Sequence, residues 1–293
     1  MVNNSQVRLI ECPRDAMQGW KGFIPTQKKI EYINSLLKVG FHTLDFGSFV
    51  SPKLIPQMAD TEEVISKLDI QNSATKLLAI VANHRGAMDA LKHDAIDFLG
   101  FPFSISPSFQ LRNTNSSMQE SFARVQDIQN SCIRVNKQLV IYISMGFGNP
   151  YGDPYNEEIA YAWVHKLAGL DIHVFSLADT IGIATPDQVF KMTAYLQKQF
   201  PAHEIGVHLH STPFNWKPKI DAALRAGCRR FDGALKGFGG CPMADDELVG
   251  NMNTELMIPH FEELGLLKNI DHSALLEAGR LANEIFAPDI GSL

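Results

Sequence analysis

Residues 204–235 read EIGVHLHSTPFNWKPKIDAALRAGCRRFDGAL, and their pattern is strand, helix, strand. An apolar run over 204–210 is followed by a helical period over 216–226. Gly227 breaks the helix, and a second apolar run covers 229–235. Two strands joined through a helix run parallel, because a hairpin cannot connect them. The same unit recurs towards the N-terminus. Further strand-like runs lie near 7–12, 42–47, 76–82, 95–102, 138–145 and 172–179, and helical periods cover 26–39, 61–68, 118–136, 156–168 and 186–199. Eight strands alternating with helices in 293 residues point to the α/β class and a closed (β/α)₈ TIM barrel, with an open doubly wound sheet as the alternative.

Punctuation agrees with this division. Gly40, Gly169 and Gly227 each follow a helical stretch, where a left-handed C′ glycine is favoured. Residues 253–264 and 272–285 carry two extra C-terminal helical patterns. The polar stretch 103–117 (FSISPSFQLRNTNSS) reads as a strand-to-helix loop and a lid over the mouth. No segment reads as a linker, so residues 1–293 are expected to form a single barrel domain.

Hydrophobic residues make up 45% and charged residues 20%, which suits a folded domain with a large core. The net charge of −6 gives no basic field for nucleic acid, so no nucleic-acid partner is expected. The apolar runs 77–82 and 139–145 are far shorter than the roughly 20 residues of a membrane-spanning helix. The first twenty residues lack a basic segment followed by a long apolar run, so the expectation is a cytoplasmic protein with no membrane partner. Cys12, Cys132, Cys228 and Cys241 form no CxxC motif and are expected to be free thiols.

The sharpest chemical signal is VHLHS at 207–211. Strand alternation puts His208 and His210 on one face, here the barrel interior near the C-terminal rim, where two imidazoles suit a divalent metal. PRDAMQ at 13–18 ends the first strand and brings Arg14 and Asp15 to the same rim, with Asp15 in reach of that metal. The second strand ends in TLDFGSFVSPKLIPQM, placing Asp45 to act as a general base or to hold Arg14, and Lys53 to meet a phosphate of a large cofactor. The sixth strand ends in FSLADTIGIATP. Ser176 and Asp179 are expected inward or on the rim, where Asp179 either orients substrate or satisfies turn donors. After the eighth strand, GFGGCPMADDELVGN offers a glycine-rich loop with a thiol, Cys241, as proton donor, and ends at Asn251, whose carbonyl is a neutral oxygen ligand. Asp15, His208, His210 and Asn251 together make an N₂O₂ set that suits Mg²⁺ or Mn²⁺ better than a closed thiolate zinc site.

PRDAMQ, SFVSPKLIPQMAD, DTIGIATP, VHLH and GFGGCP, together with Asn251, resemble the 3-hydroxy-3-methylglutaryl-CoA lyase family over most of the chain. The resemblance implies a divalent-metal enzyme that cleaves a 3-hydroxyacyl-CoA by a retro-Claisen step to acetyl-CoA and a keto acid, acetoacetate for the family substrate. It implies Asp15, His208, His210 and Asn251 as metal ligands and Arg14 beside the reacting oxygen. It further implies a proton acceptor at His208 or Asp45, Cys241 as the acid, and a homodimer built on the C-terminal helices. This sequence departs from the family at Asp45, where a glutamate is usual, and at Ser211, where HxHD has its aspartate. It departs again at Cys12 and Ala16, where glycines are usual, and in a Cys241–Asn251 interval one residue longer. Cys12 at the end of the first strand is expected near Cys241, close enough for oxidation to link them. Two other readings compete. One is a condensing enzyme joining acetyl-CoA to a 2-oxo acid, and the other is a ligand-binding barrel without turnover.

Overall fold

The computed structural model describes residues 6–239 and 249–286. Eight parallel strands close into a barrel in chain order: β1 (Arg8–Glu11), β2 (Thr43–Ser48), β3 (Lys76–Ile80), β4 (Ile96–Ser104), β5 (Gln138–Ser144), β6 (Val174–Ala178), β7 (Glu204–His208) and β8 (Arg230–Gly233). β1 pairs with both β2 and β8, which closes the ring and leaves no open sheet edge. Eleven α-helices surround or extend it among the described residues. They are α1 (Pro13–Gln18), α2 (Thr26–Leu36), α3 (Thr61–Ile65), α4 (His84–Ala90), α5 (Pro107–Thr114), α6 (Met118–Arg134), α7 (Glu157–Ala168), α8 (Pro186–Gln199), α9 (Trp216–Arg225), α10 (Thr254–Glu263) and α11 (His272–Ile285). No described helix is long and apolar enough to cross a membrane.

Alternation along each strand separates two cores. On β5, Leu139, Ile141 and Ile143 join the large apolar layer that also holds helix residues such as Val164 and Val125. Val140 and Tyr142 instead join a small cluster with Leu78, Phe98 and Val174. The rest of the barrel interior is unusually polar: Arg230, Asp232, Ser176 and Asp45 are all buried. Arg230 crosses this interior over Gly206, where a Cβ would come within 2.8 Å of the arginine side chain. Helix starts follow local chemistry. Ser117 with Glu120 and Thr185 with Gln188 each form a capping box, satisfying backbone donors at the starts of α6 and α8.

Three sequence expectations need correction. The stretch 103–117 is not one loop: β4 runs to Ser104, and Pro107–Thr114 forms α5, capped by Ser106 and stopped at Asn115 with φ 46°. This helix was hidden because its eight residues bury only Phe109 and Gln110, too few for a visible period. Gly40 and Gly227 do adopt left-handed φ, but Gly169 is right-handed and Asp171 takes the turn two residues later. Residues 13–18, expected as the end of the first strand, form the short helix α1, which starts on Pro13.

Glu11, fully buried at the end of β1, ties this rim to the C-terminal helices. It accepts hydrogen bonds from the Leu235 N–H at 2.8 Å and the Thr254 hydroxyl at 2.6 Å. Burial pushes its pKa up from 4.5 to about 8, against those two hydrogen bonds. A raised folded-state pKa contributes stability that is complete below about pH 4.5 and is lost as pH rises through about 8. Glu11→Gln is therefore expected to flatten the pH dependence of unfolding free energy across that window, by up to about 1.4 kcal/mol per pH unit. Denaturant unfolding at a series of pH values checks this, and parallel profiles for the two proteins would refute it.

Candidate active site

The C-terminal mouth of the barrel holds a cavity of about 340 Å³. Arg14, Asp15, His208 and His210 line it together with the apolar Val50, Ile80, Pro102 and Phe109. A concave, mostly apolar pocket with a few convergent polar groups at this face is where barrel enzymes place their chemistry.

Each polar group arrives by an identifiable local device. Pro13 opens α1, so Arg14 and Asp15 stand in the first turn directly above β1. A register shift in β2 between Asp45 and Gly47 re-aims the strand where it meets them. His208 ends β7, and His210 begins a two-residue antiparallel pairing in which Asn251 lies directly opposite it. That pairing brings Asn251 to the histidines across forty residues of chain.

Asp15, His208 and His210 present ligand atoms within 4.8 Å of one another, all buried. Asp15 Oδ2 lies 3.9 Å from His208 Nε2 and accepts a hydrogen bond from Asn251 Nδ2 at 2.8 Å. Among the described residues, two buried polar atoms of this group have no partner, His210 Nε2 and Asn251 Oδ1. Buried acceptors left bare are costly, and a cation between them would satisfy both. The residues present therefore fit a divalent ion on two imidazole nitrogens and two oxygens.

The electrostatics prepare the same group. Burial raises the Asp15 carboxyl, yet Arg14, the two imidazoles and Asn251 together bring its pKa down to about 2, so it is a carboxylate. Burial, then the neighbouring His208, lowers His210 to about 4, which leaves a neutral imidazole free to ligate. For His208 burial works against the charge, but the hydrogen bond and negative charge of Asp232 outweigh it and raise the pKa. Asp232 Oδ2 is 3.2 Å from His208 Nδ1, which turns Nε2 towards the pocket.

Arg14 is almost saturated. Its Nε–H donates to Asp45, Nη2 donates to Asp45 Oδ2, and Nη1 donates to Asp15 Oδ1 at 2.8 Å and Gln18 Oε1 at 2.9 Å. Of the five guanidinium N–H groups, one on Nη2 has no partner among the described residues. Burial lifts Asp45 to a pKa of about 6, with Arg14 holding it down from a higher value.

The structure redistributes several residues expected at the site. Asp45 is wholly buried with both oxygens on Arg14 and does not line the cavity, a placement that fits the second of its two expected roles, holding Arg14. Ser176 points inward but one layer too deep, its hydroxyl 3.3 Å from Asp232 Oδ2. Asp179 faces away from the cavity: Ala178 and Thr180 line it, and alternation turns the residue between them outward. Asp179 pairs with the buried Lys219 at 2.8 Å and accepts the Ala184 N–H at 3.1 Å. Lys53 is exposed on the loop beside the lining residues Val50, Leu54 and Ile55. Cys241 lies outside the described residues. Cys12, Cys132 and Cys228 are free and buried.

Two residues escaped the sequence reading. Asp232 stood in an apolar strand as FDG, an acid in a buried run that already called for a partner. Lys219 looked like any helix lysine, yet its ammonium donates to Asp179, to the Gly182 carbonyl at 3.3 Å and to the His210 carbonyl at 2.7 Å. It thus pins the main chain of a candidate metal ligand. Lys219→Met would leave Asp179 buried and unpaired, and is expected to cost about 3–5 kcal/mol in urea unfolding and to weaken divalent-metal binding by calorimetry. Unchanged stability and metal affinity would show the pair to be incidental.

The model of the HMGL-like family matches residues 7–282. The chain is 32% identical over 274 residues to the cytoplasmic 3-hydroxy-3-methylglutaryl-CoA lyase of Rattus norvegicus, covering 93% of this chain and 79% of that protein. It is 33% identical over 272 residues to hydroxymethylglutaryl-CoA lyase YngG of Bacillus subtilis, covering 93% and 90%. Among solved structures it is similar to an HMG-CoA lyase from Acinetobacter baumannii in complex with coenzyme A and 3-methylmalate. That similarity has a TM-score of 0.90 at 31% identity and covers 100% of this chain and 95% of the other. A closed barrel with Arg14 and a metal-ready ligand set at its mouth, in a chain matched by the family model almost from end to end, leads to one assignment: this chain belongs to the HMGL-like family.

Proposed function

We propose that this chain is a carbon–carbon lyase that cleaves 3-hydroxy-3-methylglutaryl-CoA by a retro-Claisen reaction to acetyl-CoA and acetoacetate. The observation that carries this reading is the convergence of Asp15, His208 and His210 beside Arg14 in one cavity, with Asn251 bonded to Asp15 and paired opposite His210, in a chain about one-third identical to lyases of that substrate. Asp15, His208, His210 and Asn251 would hold the ion, Mg²⁺ or Mn²⁺ by donor type, and when bound it supplies Lewis acidity and a template for the substrate oxygens.

The remaining work belongs to the chain. Arg14, fixed by Asp45, Asp15 and Gln18, offers its last Nη2–H to the oxygen on which negative charge develops, and it does so without reorganising. His208 offers Nε2, as ligand or as acceptor of the 3-hydroxyl proton, and Asp232 on Nδ1 determines that this is the nitrogen presented. The apolar wall of Val50, Ile80, Pro102 and Phe109 keeps water from the carbanion formed on cleavage. Its protonation is assigned to Cys241 by family resemblance. Lys53, exposed beside the pocket mouth, is assigned to a phosphate of the CoA carrier. The chain acts as one catalytic unit, a cytoplasmic homodimer in which α11, with Leu276 exposed, supplies apolar surface for the contact.

Metal-loaded protein incubated with 3-hydroxy-3-methylglutaryl-CoA should release acetyl-CoA and acetoacetate, and chelator should stop it. Absence of both products from folded, metal-bound protein would overturn the assignment. Thiol release from acetyl-CoA only when a 2-oxo acid is present would replace it with a condensing enzyme.

A further inference from the structure

Below the four residues of the outer set, a second group of donor atoms meets at the other side of the same imidazole. Cys12, at the end of β1, His208 and Asp232 present a sulfur, a ring nitrogen and a carboxylate oxygen within 4.8 Å of one another, all buried. Nδ1 is the nitrogen that faces Asp232, at 3.2 Å. Asp232 uses Oδ2 towards His208 and Ser176, whereas its Oδ1 is buried without a partner among the described residues. A thiol here is unexpected on structural grounds alone, because the nearest charges include Asp232, Asp45 and Asp15. Burial and these carboxylates push the Cys12 pKa well above 9. The field that disfavours a bare thiolate favours a cation between the sulfur and the carboxylate.

We propose that Cys12, His208 Nδ1 and Asp232 form a second, inner cation site, selective for thiophilic ions such as Zn²⁺ or Cd²⁺, that shares His208 with the outer set. One sulfur, one nitrogen and one oxygen suit a borderline or soft ion and leave a fourth position for water, whereas a hard ion such as Mg²⁺ prefers oxygen. On binding, the Cys12 S–H proton leaves to solvent as the sulfur–metal bond forms. The Nδ1 proton passes to Nε2, which lies 3.9 Å from Asp15 Oδ2. A protonated Nε2 is no ligand, so an ion in the inner site takes His208 from the outer set. The enzyme would then be switched off by thiophilic metal through one shared side chain. This consequence rests on the outer set being the working metal site; the inner site itself does not.

The test is a titration of metal-stripped protein with Cd²⁺, following the ultraviolet thiolate-to-cadmium charge-transfer band, with no need for turnover. The expected result is a band saturating at one equivalent in the wild-type protein and in Cys241→Ser, and absent from Cys12→Ala and Cys12→Gly. Asp232→Asn should keep the band but shift its midpoint to at least about tenfold higher Cd²⁺. A band of undiminished intensity without Cys12, or Cd²⁺ binding to the wild-type protein with no thiolate band, would overturn the proposal. Thermal unfolding of each variant confirms that it is folded, and if neither Cys12 variant folds, an unchanged midpoint in Asp232→Asn decides against the site.

Discussion

His210→Ala is expected to lower turnover of 3-hydroxy-3-methylglutaryl-CoA by about three to four orders of magnitude, and chelation of the wild-type protein to do the same. The size follows from what the ion supplies: several kcal/mol of charge stabilisation, at about 1.4 kcal/mol for each factor of ten. His210 is the sharper probe than its neighbours because its Nε2 has no other described partner. Asp15, by contrast, also holds Arg14 and Gln18, so removing it disturbs two functions together. His210 is buried, and its lowered pKa means that no charge is lost with it. The cost should therefore fall on metal affinity and rate more than on folding. Isothermal titration with Mn²⁺ and a coupled assay for acetoacetate measure both. Turnover within tenfold of wild type at saturating Mn²⁺ would remove His210 from the metal set.

Arg14 is the second position where a large effect is expected, about 1,000-fold in kcat for Arg14→Met, on the scale of losing a preorganised donor to a developing oxyanion. Two parts make up this effect. Four of the five N–H groups of the guanidinium are spent on holding it still, so the fifth is aimed before substrate arrives. The methionine would also leave Asp45 and Asp15 as buried neighbours without their cation, which costs about 3–5 kcal/mol of stability. Arg14→Lys separates the two parts. It keeps a positive charge near both carboxylates but cannot span Asp45, Asp15 and Gln18 at once. The lysine variant should melt close to wild type and still lose most of its kcat, with metal affinity retained. A lysine variant as active as wild type would mean that charge alone suffices and that the fork geometry is unimportant.

Legibility in the sequence varied with the range of the interaction that carried each feature. The strand–helix rhythm of 204–235 was readable because burial of alternate residues and of one helix face is written into neighbouring positions. His208 and His210 were legible for the same reason, being two apart on one strand. Parity misled at β6, where Asp179 lies in the register that faces Lys219 while Ala178 and Thr180 take the cavity. A shift of one residue changes the face, and nothing local marks which residue is in phase. The helix α5 was missed because its stability comes from docking over the mouth, with Ser106 and Ser108 bonded to Asp153 some forty-five residues away.

By itself the sequence determined the barrel class, the two histidines and the rim position of Arg14 and Asp15, since each depends on periodicity or on adjacency along the chain. Only the tertiary structure decided that Asn251 stands opposite His210, that Lys219 holds the His210 carbonyl, and that Asp232 selects the nitrogen of His208 that faces the pocket. Those contacts join residues from nine to forty-one positions apart, and they are brought within reach by the pairing of β7 with β8, by the short antiparallel pairing at His210 and by the packing of α9 against the end of β7. Burial at the barrel mouth then sets both which atoms meet and which of them carry charge.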